Sequence, residues 1–378
     1  MKPNILHIFS DQFRFDCIGA LGNDVIKTPN LDRIANMGIA FTNAYTPSPV
    51  CVAARCSMIF GQYPTKTGCW SNDTMPQGKT LMDTLTEQGY LTYGIGKCHF
   101  TPQSNALRGF SVRERQEECD VLSPDEEPYY KSLKENGYTH CYEPHGSRGE
   151  MYYIPQVSKL PEKHHPSNWV GERSVHFIET NPHKPWYLFS SFIHPHPPFS
   201  PPVPWNMMYS AVDMPDPYVP KDYEACQTLL NKIQNRYKYR GGGIDQNLIL
   251  TIRAYYYACI SFLDHQVGKM LDALERTNQL DNTIIVFTSD HGEHLGDYNC
   301  FGKRSMHDTC AKVPLLIYQK SVFEDGKTCD IPVSLVDLAP TFTEANENYD
   351  GIDLKRIYRG ETGREYIYSM YSAYQECA

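Results

Sequence analysis

The sequence predicts an α/β fold, a parallel sheet covered by helices, and two observations carry that expectation. First, five short apolar runs, at 4–9 (NILHIF), 91–95, 186–193 (WYLFSSFI), 283–288 (TIIVFT) and 313–318 (VPLLIY), are uninterrupted. A half-exposed strand alternates apolar and polar residues, whereas a strand buried on both faces does not. Second, helical patterns fall between those runs, at 29–37, 53–60, 81–88, 169–179 and, longest, 246–276. Strands alternating with helices imply a sheet whose ligands sit beyond the carboxyl ends of its strands.

Taken in order, the first run ends at Ser10-Asp11-Gln12, and the helical pattern at 29–37 follows. A Pro-rich loop, Pro47-Ser48-Pro49-Val50, leads through Cys51 into the helical stretch 53–60. The pattern at 81–88 precedes the second strand. From about 108 to 165 periodicity fades, and Glu, Tyr, Pro and His dominate. The helix at 169–179 and the strand at 186–193 come next. A second irregular stretch, 197–243, is rich in Pro and Tyr and ends in Gly241-Gly242-Gly243. Loops this long in a compact domain are usually functional. The fourth strand runs into Ser289-Asp290-His291-Gly292-Glu293, and a last strand-like piece lies at 365–371.

Bulk properties narrow the function. With 378 residues, 41% hydrophobic and 21% charged, the chain has ample material for a core. No run of about 18 apolar residues exists, so no membrane span is expected. A net charge of −9 argues against nucleic acid as a partner, though a local field still permits a small anionic substrate. Thirteen cysteines without a C-x-x-C pair argue against a disulfide scaffold or a zinc ribbon. Met1-Lys2-Pro3-Asn4 lacks the sections of a signal peptide, which predicts a cytoplasmic protein, or a secreted or periplasmic one if a leader has been removed.

Three clusters carry chemistry. Asp11 and Gln12 offer hard oxygen ligands at a strand end, although such a pair alone reads as a turn or cap. Asp290 and His291 repeat the layout, with Gly292 allowing close backbone approach. If the two strands are neighbours, these side chains converge on one cation. Cys51 stands at a probable helix start with Arg55 one turn on, a place where backbone N–H groups and a guanidinium favour anions. The bland reading there is a buried structural Cys beside a surface Arg.

Cys51-Val52-Ala53-Ala54-Arg55 followed by Gly61-Gln62-Tyr63-Pro64 resembles the signature of the sulfatase family. Five further segments resemble that family in order. They are Thr28-Pro29-Asn30-Leu31-Asp32-Arg33, Gly94-Ile95-Gly96-Lys97-Cys98-His99, Pro195-His196-Pro197-Pro198-Phe199, Asp290-His291-Gly292, and Gly302-Lys303 with Val313-Pro314-Leu315-Leu316. Three positions depart from the usual pattern. Ala53 stands where Pro is commoner, Cys98 where Trp is usual, and Gln12 where many relatives have Asp.

The resemblance implies an alkaline-phosphatase-like α/β sandwich, with a mixed, mainly parallel central sheet and helices on both faces. It implies a catalytic domain over 1–355, with insertions at 108–165 and 197–243, and a small C-terminal subdomain that 356–378 begins without completing. It also implies hydrolysis of a sulfate ester, on a sulfated sugar or an aryl sulfate. A dedicated maturase would oxidise Cys51 to formylglycine, and radical-type maturases accept Ala53. Asp11, Gln12, Asp290, His291 and residue 51 would hold one divalent cation, calcium first, with manganese or zinc as alternatives. The gem-diol of formylglycine would attack sulfur, with His196 protonating the leaving oxygen. Lys97 and Lys303 would clamp the sulfate, Arg55 would hold the diol, and His99 would take the proton that lets sulfate depart.

Two other readings remain. One keeps the site but takes a phosphonate or phosphate ester. The other is a non-catalytic or fragmentary sulfatase-like chain. Of the remaining candidates, His194 and His307 read as either pocket or packing residues. Asp264-His265 in the long helix and His164-His165 before a helix read as structural, and Glu293 and Asp297 as supports of the metal motif.

Overall fold

The protein's structure, a computed structural model, describes residues 2–118, 126–181, 184–239, 245–343 and 347–372. Ten strands occur among them: β1 (Asn4–Ser10), β2 (Ile39–Phe41), β3 (Ala44–Tyr45), β4 (Leu91–Gly96), β5 (Val112–Arg115), β6 (Trp186–Phe192), β7 (Thr283–Ser289), β8 (Leu315–Tyr318), β9 (Lys327–Cys329) and β10 (Val333–Ser334). Eight form one sheet in the order β5-β4-β6-β1-β7-β8-β2-β9, and β10 pairs with β3. In the large sheet β8 is antiparallel to both β7 and β2, and every other pairing is parallel. The sheet is therefore mixed and mainly parallel, as expected.

The uninterrupted apolar runs are explained by two cores. Successive side chains of a strand point to opposite faces. In β1, Leu6 and Ile8 join one cluster, packed with the helices Pro29–Met37, Pro166–Thr180 and Gln246–Arg276. Ile5 and Phe9 join the other, packed with the helices Cys51–Phe60 and Leu81–Glu87. In β7, Ile285 and Phe287 face the first cluster, Ile284 and Val286 the second. Both faces are dry, and His7, the polar side chain in the middle of β1, is buried with its Nδ1 3.0 Å from Tyr187 OH.

The structure corrects three expectations. The stretch 365–371 is not a strand. Its neighbours are loops, with Met370 N–H donating to Pro47 O at 2.9 Å and, just beyond, Ser372 N–H to Trp70 O at 3.3 Å, and no partner strand lies alongside among the described residues. The stretch 197–243 is not structureless, because it holds the helices Tyr223–Cys226 and Leu229–Tyr239; Gly241-Gly242-Gly243 lies outside the described residues. The first irregular stretch likewise holds β5 and the helix Pro128–Glu135. Among the described residues no helix is long and apolar enough to cross a membrane.

Candidate active site

Four adjacent parallel strands, β4-β6-β1-β7, end on the same edge of the sheet. Ser10 pairs in register with both Phe192 and Ser289, and Gly96 pairs with Ser191. The residues that follow these ends are Asp11 and Gln12, Asp290 and His291, Lys97, and the segment leading to His196. Strand register alone therefore brings residues far apart in sequence to one edge. Gln12 N–H donates to Asp290 Oδ1 at 3.0 Å, tying the two acidic ends together.

Cys51 is the first residue of its helix, preceded by Val50 in extended conformation. That helix start meets the strand ends, so Cys51 is buried among them. Its Sγ lies 3.3 Å from His291 Nε2, 3.7 Å from Asp11 Oδ1 and 2.8 Å from Lys303 Nζ. One turn on, Arg55 is buried and spans both carboxylates, with Nη2 3.1 Å from Asp11 Oδ2 and Nε 3.1 Å from Asp290 Oδ2. Its Nη1 donates to Lys97 O at 2.8 Å, and its guanidinium lies 4.7 Å from the Phe9 ring centre. Five donors in a rigid fork suit such a bridge, and a lysine could not reproduce it.

The electrostatics follow from these contacts. Burial favours the neutral Cys51 thiol, yet the charges of Lys303, Lys97 and His291 outweigh it and hold the thiol well below its ordinary range. Burial would also neutralise Asp11, but Lys97, His196 and Lys303 keep it ionised. Burial and the neighbouring Asp11 push Asp290 up, against the opposing charges of His291 and Arg55. Asp11, Cys51, Asp290 and His291 each present one ligand atom, all within 4.8 Å of one another and all buried. Two carboxylates and an imidazole form a mixed oxygen and nitrogen set that fits one divalent cation.

Around this centre, Lys303 Nζ also donates to Gln12 Oε1 at 2.8 Å. The Gln12 amide nitrogen donates to Glu293, which accepts from Tyr153 OH at 3.0 Å and Leu295 N–H at 3.0 Å. Lys97 is buried, with Nζ 2.6 Å from Asp11 Oδ2 and 2.9 Å from Glu118 Oε1. His196 is buried, with Nδ1 3.0 Å from Glu118 Oε2. His99 lies two residues beyond Lys97, with φ of 55° and its N–H bound by Glu117 at 3.2 Å. No contact among the described residues joins its ring to Cys51.

Glu118, Tyr153 and Arg148, whose Nη2 lies 3.0 Å from Glu118 Oε2, were absent from the expected set. They come from the aperiodic stretch 108–165, where composition alone offered no position. The one usable signal was charge: Arg55, Lys97 and Lys303 outnumber Asp11 and Asp290, which leaves room for a further buried carboxylate.

The remaining candidates resolve into supporting roles. His165 Nδ1 accepts from Ser167 N–H at 3.1 Å and caps the helix Pro166–Thr180. Asp264 accepts from Asn30 N–H and Leu31 N–H, capping the helix Pro29–Met37, while the His265 ring lies against Trp205. Asp297 pairs with Arg14 at 2.9 Å and with Arg253. His307 binds Cys226 O at 2.8 Å and stacks on Tyr298, and buried His194 packs 5.0 Å from the His165 ring. His164 is in ring contact with Tyr138.

Comparison with known proteins agrees with this geometry. The model of the sulfatase family matches residues 3–346. An arylsulfatase of Clostridium perfringens is 32% identical over 403 residues, covering 98% of this chain and 82% of the relative. A choline-sulfatase of Rhizobium meliloti is 28% identical over 397 residues, covering 98% and 74%. The crystal structure of the phosphonate monoester hydrolase of Agrobacterium radiobacter superposes with a TM-score of 0.82 at 25% identity, covering 97% of this chain and 79% of that one. That neighbour's alkaline-phosphatase-like fold is the fold seen here. With the match spanning nearly the whole chain and the strand-end residues converging on Cys51, the chain belongs to the sulfatase family of sulfuric ester hydrolases.

Proposed function

We propose that this enzyme cleaves the sulfate ester of a small anionic substrate, a sulfated sugar or an aryl sulfate, using formylglycine made from Cys51. The observation that carries the proposal is the buried convergence of Cys51 with Asp11, Asp290, His291, Lys97 and Lys303. A thiol at a helix start, hemmed by two carboxylates and two ammonium groups, suits placement of a nucleophile against a tetrahedral oxyanion. Asp11, Asp290, His291 and residue 51, with Gln12 at the edge, would hold one divalent cation, calcium first and manganese or zinc otherwise. That cation supplies charge to polarise the sulfate, and the hydrated aldehyde supplies the attacking oxygen.

The chain's own residues divide the remaining work. Lys303, with Nζ 2.8 Å from Cys51 Sγ, and Lys97, with Nζ 2.6 Å from Asp11 Oδ2, bind the sulfate oxygens. Arg55 fixes Asp11 and Asp290 at a set separation and stays clear of solvent. His196 donates a proton to the leaving oxygen. His99, whose Nδ1 is buried and unpartnered, takes a proton from residue 51 as sulfate leaves. Return of residue 51 to its starting state needs that second proton transfer, which an unmodified serine or cysteine could not provide.

A second reading, hydrolysis of a phosphonate or phosphate ester, draws support from the phosphonate monoester hydrolase neighbour and from Gln12. Parallel turnover of an aryl sulfate, a phosphonate ester and a phosphodiester separates the two. The first test is peptide mass spectrometry across Cys51, on protein made with a formylglycine-generating maturase. Replacement of the thiol by an aldehyde at Cys51 alone is the expected result. An intact thiol, with the maturase active on a control peptide, would sink the proposal.

A further inference from the structure

Lys303 reaches the site from a loop whose backbone is under strain. Between His291 and Lys303 the chain passes through Leu295, Tyr298 and Asn299 with φ of 52°, 56° and 54°, and Arg304, next after Lys303, has φ of 70°. A side chain disfavours this left-handed region, so residues held there so close together persist only where their surroundings over-determine them. Part of that support is internal. His294 N–H donates to Gly302 O at 2.9 Å, and Gly296 N–H donates to Cys300 O at 2.8 Å, closing the loop on itself.

Further support comes from the second irregular stretch of the sequence. Gln227 Nε2 donates to Tyr298 O at 2.8 Å, and Asn235 Nδ2 donates to Asn299 O at 2.9 Å. Gln234 is 8% exposed and meets Lys303 and Arg304 together. The orientation that satisfies both ends of its amide has the nitrogen donating to Lys303 O at 3.2 Å and the oxygen accepting from Arg304 Nη1 at 3.1 Å. Leu230 and Asn231, one turn earlier, are buried on the same face of the helix Leu229–Tyr239, so this amide is presented from a packed element.

The loop so held ends at the nucleophile. Lys303 Nζ lies 2.8 Å from Cys51 Sγ and 2.8 Å from Gln12 Oε1. Arg304 N–H donates to Pro49 O at 3.1 Å, two residues before Cys51. Gln234 thus grips the main chain of a residue whose side chain reaches the reacting centre.

We propose that Gln234 is a positioning residue: from the helix Leu229–Tyr239 it fixes the backbone of Lys303, and so sets where the ammonium group meets the sulfate oxygens. This rests on the reading of Lys303 as a sulfate ligand. An ammonium on a flexible four-carbon stem has little directional preference of its own, so its place depends on where its main chain is anchored. Without the anchor the strained loop relaxes, and the charge withdraws from the oxyanion.

The experiment measures Kd for inorganic sulfate by calorimetric titration of the matured, cation-loaded enzyme. Gln234→Met nearly keeps the side chain's volume and removes both hydrogen bonds, and Kd is expected to rise roughly 10-fold. Lys303→Met is the reference, with a rise of roughly 100-fold. The double variant should bind sulfate no more weakly than Lys303→Met alone, because a residue that acts through Lys303 then has nothing left to position. If Lys303→Met leaves Kd unchanged, Lys303 is not a sulfate ligand, and the proposal falls with that reading. If Lys303→Met weakens binding but Gln234→Met lowers only Tm, or the two losses multiply in the double variant, Lys303 keeps its role and the proposal alone is overturned.

Discussion

Arg55 meets Asp11 and Asp290 at 3.1 Å each, and all three side chains are sealed from solvent. Two such carboxylates repel each other, and burial alone would neutralise one of them. The guanidinium opposes that repulsion, so removing it leaves buried carboxylate charge without its partner. Arg55→Ala is expected to lower unfolding stability in urea by about 3–5 kcal/mol when a chelator is present. With saturating calcium the loss should shrink, because a cation between the carboxylates takes over part of that compensation. An equal loss in both conditions would mean that Arg55 and the cation site are not electrostatically linked. Arg55 was legible as a candidate only through its spacing from Cys51. Its contact with both acids, 44 and 235 residues away in sequence, was not.

At the scale of elements, the site depends on how closely segments approach behind β7. Gly292 N–H donates to Cys310 O at 2.8 Å, and Glu293 N–H to Thr309 O at 2.8 Å. The short helix Asp308–Ala311 is thus laid directly against the chain that carries Asp290 and His291. A Cβ on Gly292 would meet the Thr309 carbonyl oxygen well inside contact distance, and neither backbone can yield without moving the ligands. Gly292→Ala should therefore cost about 1–3 kcal/mol of stability, as overpacking does. It should also weaken calcium binding in calorimetric titration by roughly 10- to 100-fold, as a misplaced ligand does. Unchanged calcium affinity would show that His291 and Asp290 do not depend on this packing. Close backbone approach was readable from a glycine beside two ligand-type residues. The segment that approaches was not, because it lies 17 residues further on.

For the whole molecule, the four-residue donor set joins the segment after β1, the end of β7 and the helix after the Pro-rich loop. A cation bound there stabilises the folded chain and not the unfolded one. At a cation concentration 100 times Kd the gain is about 2.7 kcal/mol, which for a chain of this size raises Tm by roughly 3–4 °C. Dialysis against EDTA should lower Tm by that amount, and calcium, manganese or zinc should restore it in the order of their affinities. Asp290→Asn should abolish the response, and a response that survives it would place the cation elsewhere. The sequence by itself determined the sheet-and-helix alternation, because strands dry on both faces must read as apolar runs. It also determined the chemistry-bearing residues at strand ends, because those lie next to the runs that deliver them. Only the tertiary structure decided which strands are neighbours, that β8 runs against the rest, and that 365–371 finds loops rather than a strand. Only it could supply Glu118 and Arg148, since the register that brings an aperiodic loop over Lys97 and His196 is set by contacts between distant residues, which no local pattern records.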